Sequence, residues 1–82
     1  MKVSSLKLND KIEVRWLDIV ADSRWLDYDD AKTMPATVCS TVGYFCNISD
    51  GCLRLSCSIN EDGQRDLVII PVGTIYKISR LK

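Results

Sequence analysis

Four cysteines, eleven carboxylates and eleven basic side chains, without a single histidine, are the titratable chemistry of this 82-residue chain, apart from three tyrosines. Lacking histidine, it lacks the commonest general base, the commonest metal ligand and the usual pH switch near neutrality. Cys39, Cys46, Cys52 and Cys57 follow one another at steps of seven, six and five residues. None of these steps is the Cys-x-x-Cys spacing of zinc ribbons and redox sites. The expectation is four free thiols, no metal and no cofactor. A cysteine nucleophile would need a base and an oxyanion hole; without histidine the base would have to be Asp, Glu or Lys, and no nucleophile elbow is visible, so no catalytic residue is assigned and the chain is read as a non-enzyme.

The aspartates are concentrated. Asp18, Asp22, Asp27, Asp29 and Asp30 fall within the eighteen residues Asp18–Pro35. They lack the Asp-x-Asp-x-Asp-Gly order of a calcium loop, and a chain this short leaves little room for the rigid carboxylate pair of a glycosidase. Trp25, Leu26 and Tyr28 are interleaved with the acids, and Asp27 is placed to start a short helical turn that Pro35 ends. Trp25 either folds back to plug one end of the core or stands exposed with Tyr28, two residue types enriched at interface hot spots. The candidate partner-binding set is Trp25, Leu26, Asp27, Tyr28, Asp29 and Asp30.

Basic residues are scattered. Arg54, Arg65 and Lys77 are candidates for an anion site if several chains gather them together. Lys2, Lys7 and Lys11 with Lys77, Arg80 and Lys82 form a modest patch if the termini meet. The formal charge is zero, unlike a domain held mainly by phosphate contacts.

Strands must position these groups. Seven Val, eight Ile and four Thr against three Ala and two Glu disfavour helices. Lys11–Leu17 alternates, with Ile12, Val14 and Trp16 on one face. In Ala36–Ile48, the set Val38, Val42, Tyr44, Cys46 and Ile48 shares a face. Cys52–Ile59 turns Leu53, Leu55 and Cys57 inward, leaving Cys39 and Cys52 outside. Asp50-Gly51 between these runs is a two-residue type I′ hairpin signal, which pairs Ile48 with Leu53, Cys46 with Leu55 and Tyr44 with Cys57. Leu67–Ile70 and Ile75–Leu81 complete five strands, separated by the tight turn Val72-Gly73-Thr74. Residues 1–82 thus read as a single all-β domain, a small bent five-stranded barrel with a long acidic first loop. Its expected core is Ile12, Val14, Trp16, Val38, Val42, Tyr44, Cys46, Leu53, Leu55, Cys57, Leu67, Ile69 and Ile78.

The ending Ile70-Pro71-Val72-Gly73-Thr74-Ile75-Tyr76-Lys77-Ile78 resembles the close of Src-homology-3 and Sm-like barrels, where a short turn separates the last two strands. Leu26-Asp27-Tyr28-Asp29 is similar to the acidic-aromatic segment with which Src-homology-3 domains bind proline-rich peptides, but that family's tryptophan pair and second tyrosine have no counterpart. Over nearly the whole chain, the order Trp16-Leu17-Asp18, Trp25, Pro35, Thr41-Val42-Gly43-Tyr44, Ile70-Pro71 and Ile75–Leu81 resembles small accessory proteins of bacteriophages and prophages. That resemblance implies a non-enzymatic binder of a host or phage protein, in some cases one that counters host defence.

The alternative is an oligomeric barrel that sequesters a nucleotide or binds nucleic acid. A homo-oligomer is expected to form through the edges of the last two strands. Met1–Lys7 has no apolar stretch of the kind that heads a secretory leader, and no run is long enough to span a bilayer. The expected location is the cytoplasm of a bacterial host cell, with no membrane partner.

Overall fold

The computed structural model describes residues 5–82; Lys2, of the expected basic patch, lies outside them. Five antiparallel strands form one sheet: β1 (Lys11–Asp18), β2 (Thr37–Ser49), β3 (Cys52–Ser56), β4 (Val68–Pro71) and β5 (Ile75–Arg80). Their order is β4-β3-β2-β1-β5. Two short helical turns interrupt them, α1 (Tyr28–Ala31) and a 3-10 turn at Val72–Thr74.

β2 is the spine. Its first part pairs with β1, from Thr37 opposite Asp18 to Tyr44 opposite Lys11, and its last part pairs with β3. Asp50 and Gly51 carry φ values of 54° and 72°. These are the two left-handed positions a type I′ turn demands, and glycine meets the second without strain. Next to the turn the expected register holds, with Ser49 opposite Cys52, Ile48 opposite Leu53 and Asn47 opposite Arg54. Beyond it the register shifts at Cys46, so that Phe45 pairs with Leu55 and Tyr44 with Ser56.

That bulge corrects the core. One extra residue on β2 flips every side chain N-terminal to it. Phe45 therefore enters the core, while Val38 and Val42 are exposed and Tyr44 is turned away from it. Cys39 sits opposite Trp16 on the inner face, and Cys57 is exposed with its Sγ 3.6 Å from the Val42 carbonyl. The expected inner and outer assignments of these two thiols are thus reversed. β4 is also inverted. Ile70 pairs with Leu53 and is buried, whereas Leu67 and Ile69 face outward.

The buried core is Ile12, Val14, Phe45, Leu53, Leu55 and Ile70, with Trp16, Ile48, Val68, Ile75 and Ile78 packed against it. Trp16 holds its place partly through its indole N–H, which donates to Thr41 Oγ1 at 3.0 Å.

The sheet does not close into a barrel: β4 bonds only to β3, and β5 only to β1. It is nevertheless strongly bent. Four strand spacings would separate β4 from β5 by about 19 Å in a flat sheet, yet three residues of 3-10 turn, about 6 Å, join them. Closure fails because β4 is only four residues long and ends in Pro71, which has no N–H to donate.

Candidate functional site

The connection between β1 and β2 leaves the body of the protein as an arm. A compact chain of this length has a radius of gyration of about 12 Å; here it is 15.9 Å, with extents of 52 × 26 × 26 Å. β2 itself runs 13 residues, about 43 Å at strand rise, and the arm stands at its N-terminal end.

α1 is a single turn, closed by Ala31 N–H donating to the Asp27 carbonyl at 3.0 Å and Lys32 N–H donating to that of Tyr28 at 2.9 Å. Asp27 occupies the expected cap position, although its side chain makes no capping hydrogen bond, and α1 buries no residue. Of the candidate partner-binding residues, only Leu26 is partly buried. Trp25 is 102% exposed and Tyr28 78%. Trp25 does not plug the core: the arm leads away from it.

Charge on the arm is partly compensated. Asp22 takes Arg24 in a fork, at 3.0–3.1 Å from Nε and 2.7 Å from Nη2. The guanidinium, helped by the Arg24 backbone N–H, holds the Asp22 carboxyl below its ordinary range, and the same pairing raises Arg24. Lys32 pairs with Asp29 at 2.9 Å and stands 5.5 Å from the centre of the Tyr28 ring. Asp27 and Asp30 have no ion-pair partner among the described residues. Two free carboxylates thus flank an exposed tyrosine, beside an exposed tryptophan. Such a surface can give a cationic partner both steering and aromatic contact.

Where the arm meets the sheet, Leu17, Ile19, Val20, Met34 and Pro35 line an open cleft of about 440 Å³.

The expected anion set is not brought together within one chain. Arg54 Nη1 donates to Ser49 Oγ at 2.8 Å and to the Ser49 carbonyl at 3.2 Å, which ties it to the hairpin. Arg65 Nη1 lies 3.3 Å from Cys46 Sγ, itself 3.3 Å from the buried Ser56 hydroxyl. Lys77 lies on β5, at the opposite edge of the sheet from β4. Among the described residues, no three Cys, Asp or Glu side chains converge as metal ligands. No helix there is long and apolar enough to cross a membrane.

Sequence reasoning named Lys77 but missed the residues it meets. On the outward face Arg15 lies directly opposite Lys77, and its guanidinium sits 5.8 Å from the centre of the Tyr76 ring. Nothing in the linear pattern brings these three together; the signal is the β1–β5 register.

No family model matches the chain, and no curated protein or solved structure matches it significantly.

Proposed function

We propose that the protein is a non-enzymatic binding module whose acidic-aromatic arm docks on a basic surface of another protein. The observation that carries this reading is the full exposure of Trp25, beside Tyr28 and beside Asp27 and Asp30, which have no ion-pair partner among the described residues. An aromatic pair left in water contributes nothing to the fold, whereas covering it in a desolvated pocket is a common source of interface energy. The strand order, with a 3-10 turn between the last two strands, supports a Src-homology-3-like or Sm-like ancestry for the scaffold. The chain resemblance supports a phage or prophage accessory protein working in the host cytoplasm on a host or phage protein, with opposition to host defence as one such role. Sequestration of a nucleotide or nucleic acid has less support, because Arg54 and Arg65 each commit Nη1 to their own chain and Lys77 lies on β5, at the opposite edge of the sheet from β4.

The test is affinity capture from bacterial lysate by wild type beside a Trp25→Ala/Tyr28→Ala variant. A protein partner retained by the wild type and lost by the variant is the expected result. Equal retention by both would sink the arm reading.

A further inference from the structure

Arg15 and Lys77 face each other directly across β1 and β5, an arrangement of like charges that destabilises a strand pair. Both are exposed, and neither has an ion-pair partner among the described residues. Tyr76 lies beside them, half exposed. On the same outward face Val42 and Val38 are each 51% exposed, and Leu17 pairs with Val38. The same face also holds Glu13, whose carboxylate accepts from Ser40 Oγ at 2.8 Å. Arg15 and Lys77 outnumber it, so the face is net cationic and apolar together, and an anion from outside further relieves its repulsion.

The chain itself supplies the complement. Residues 18–35 hold five aspartates against Arg24 and Lys32, a net of three negative charges; because the whole chain sums to zero, the remainder carries three positive. The arm also presents aromatic rings to match the apolar part of the face.

We infer that the free protein is a reciprocal dimer, in which the arm of each copy lies on the β1–β5 face of the other, with Asp27 and Asp30 against Arg15 and Lys77. This rests on the reading of the arm as a binding element and names a second copy of the chain as an occupant. The geometry suits a two-fold axis. Each arm springs from Asp18 and Thr37, next to Leu17 and Val38 at the end of its own docking face. An axis near that pair lays both arms across both faces at once, as a self-complementary interface requires. A heterologous partner then competes with the second copy for the arm.

The experiment is sedimentation equilibrium of the full chain up to about 100 μM, a concentration at which even modest affinities populate the complex. Wild type should weigh twice 9.3 kDa and dissociate as salt is raised. Arg15→Glu/Lys77→Glu and Asp27→Lys/Asp30→Lys should each be monomeric, with dimer affinity at least tenfold weaker. An equimolar mixture of the two should recover the dimer, because the reversed arm meets the reversed face while the two native elements meet each other. All four positions are exposed, so circular dichroism should report an intact fold in both variants.

A wild-type mass of 9.3 kDa would overturn the inference, as would a dimer indifferent to the face reversal or a mixture that stays monomeric. So would a monomer that binds a single-stranded oligonucleotide through Arg15 and Lys77. Failure here is separable from failure of the arm reading. A monomer that still captures a protein through Trp25 and Tyr28 keeps the module and removes the exchange. A dimer whose capture survives loss of both aromatics keeps the exchange and removes only the arm as the docking element for the heterologous partner.

Discussion

Gly43 packs tightly against the end of β3, and replacing it by alanine tests the bulge directly. A Cβ built on Gly43 would lie 2.6 Å from the Ser56 carbonyl oxygen, 3.0 Å from Leu55 Cδ1 and 3.1 Å from the Ser56 carbonyl carbon, whereas ordinary contact begins at 3.4 Å. Two of these neighbours are backbone atoms of β3, so no rotamer change relieves the clash. The strand must move at the point where the Cys46 bulge sets its register. Overpacking of this kind costs about 1–3 kcal/mol, and the upper part of that range applies because backbone has to yield. For a chain of 82 residues total stability is about 4–12 kcal/mol. Each kcal/mol lowers Tm by roughly 4–8 °C at this size, so Gly43→Ala should melt roughly 10–20 °C below wild type. Gly73→Ala is the control, since no atom lies within 4 Å of its added Cβ. It should stay within about 0.5 kcal/mol of wild type or gain slightly from a stiffer unfolded chain. Thermal melts followed by far-ultraviolet circular dichroism read both variants. If Gly43→Ala melts within about 2 °C of wild type, the Ser56 carbonyl does not cover Gly43 and the register beyond the bulge is wrong.

Three further outcomes follow from burial and pairing. Leu53→Ala, at a fully buried position, should cost about 2–5 kcal/mol in urea unfolding, against less than about 0.5 kcal/mol for Ile69→Ala on the outward face; the opposite ranking would invert β4. At a concentration low enough for the monomer, Trp25→Ala should leave Tm unchanged while moving tryptophan emission to the blue, because the remaining indole, Trp16, is part-buried and hydrogen-bonded to Thr41; an unchanged spectrum would mean that Trp25 of the monomer is not in water. The Asp22 carboxyl should titrate below the usual aspartate range by carbon-13 NMR and return to it in Arg24→Ala. A depressed carboxyl pKa favours the folded pairing above the unfolded value and loses that contribution as pH falls; a titration unaffected by Arg24→Ala would show the fork is not formed in solution.

The strands were legible because β-branched alternation and the Asp50-Gly51 turn are local signals. Cys52, Leu53 and Arg54, next to the turn, pair as their pattern predicts, whereas Leu55 and Ser56 lie beyond the bulge and do not. The faces of β2 were not legible, since both of its residue sets contain apolar side chains and a bulge has no composition of its own. Choosing Tyr44 over Phe45 as the inward aromatic depends on one inserted residue at Cys46. β4 failed for a similar reason: Leu67–Ile70 is apolar on both faces, so its parity comes from Ile70 meeting Leu53. Of the candidate site, the acidic-aromatic composition of the arm could be read directly. The exposure of Trp25 could not, because it depends on where the loop travels. The Arg15–Lys77 juxtaposition likewise needs the pairing of the first strand with the last.

The arm is also the cheapest part of this protein to change. It closes a loop between Asp18 and Thr37, which the β1–β2 ladder holds fixed, and doubling the length of such a loop costs only about 0.6 kcal/mol. Its helical turn buries no residue, so substitutions there leave the packing of the sheet intact. Variation can accumulate on that turn at little cost to folding; under the binding role proposed above, one scaffold can then carry successive recognition sequences.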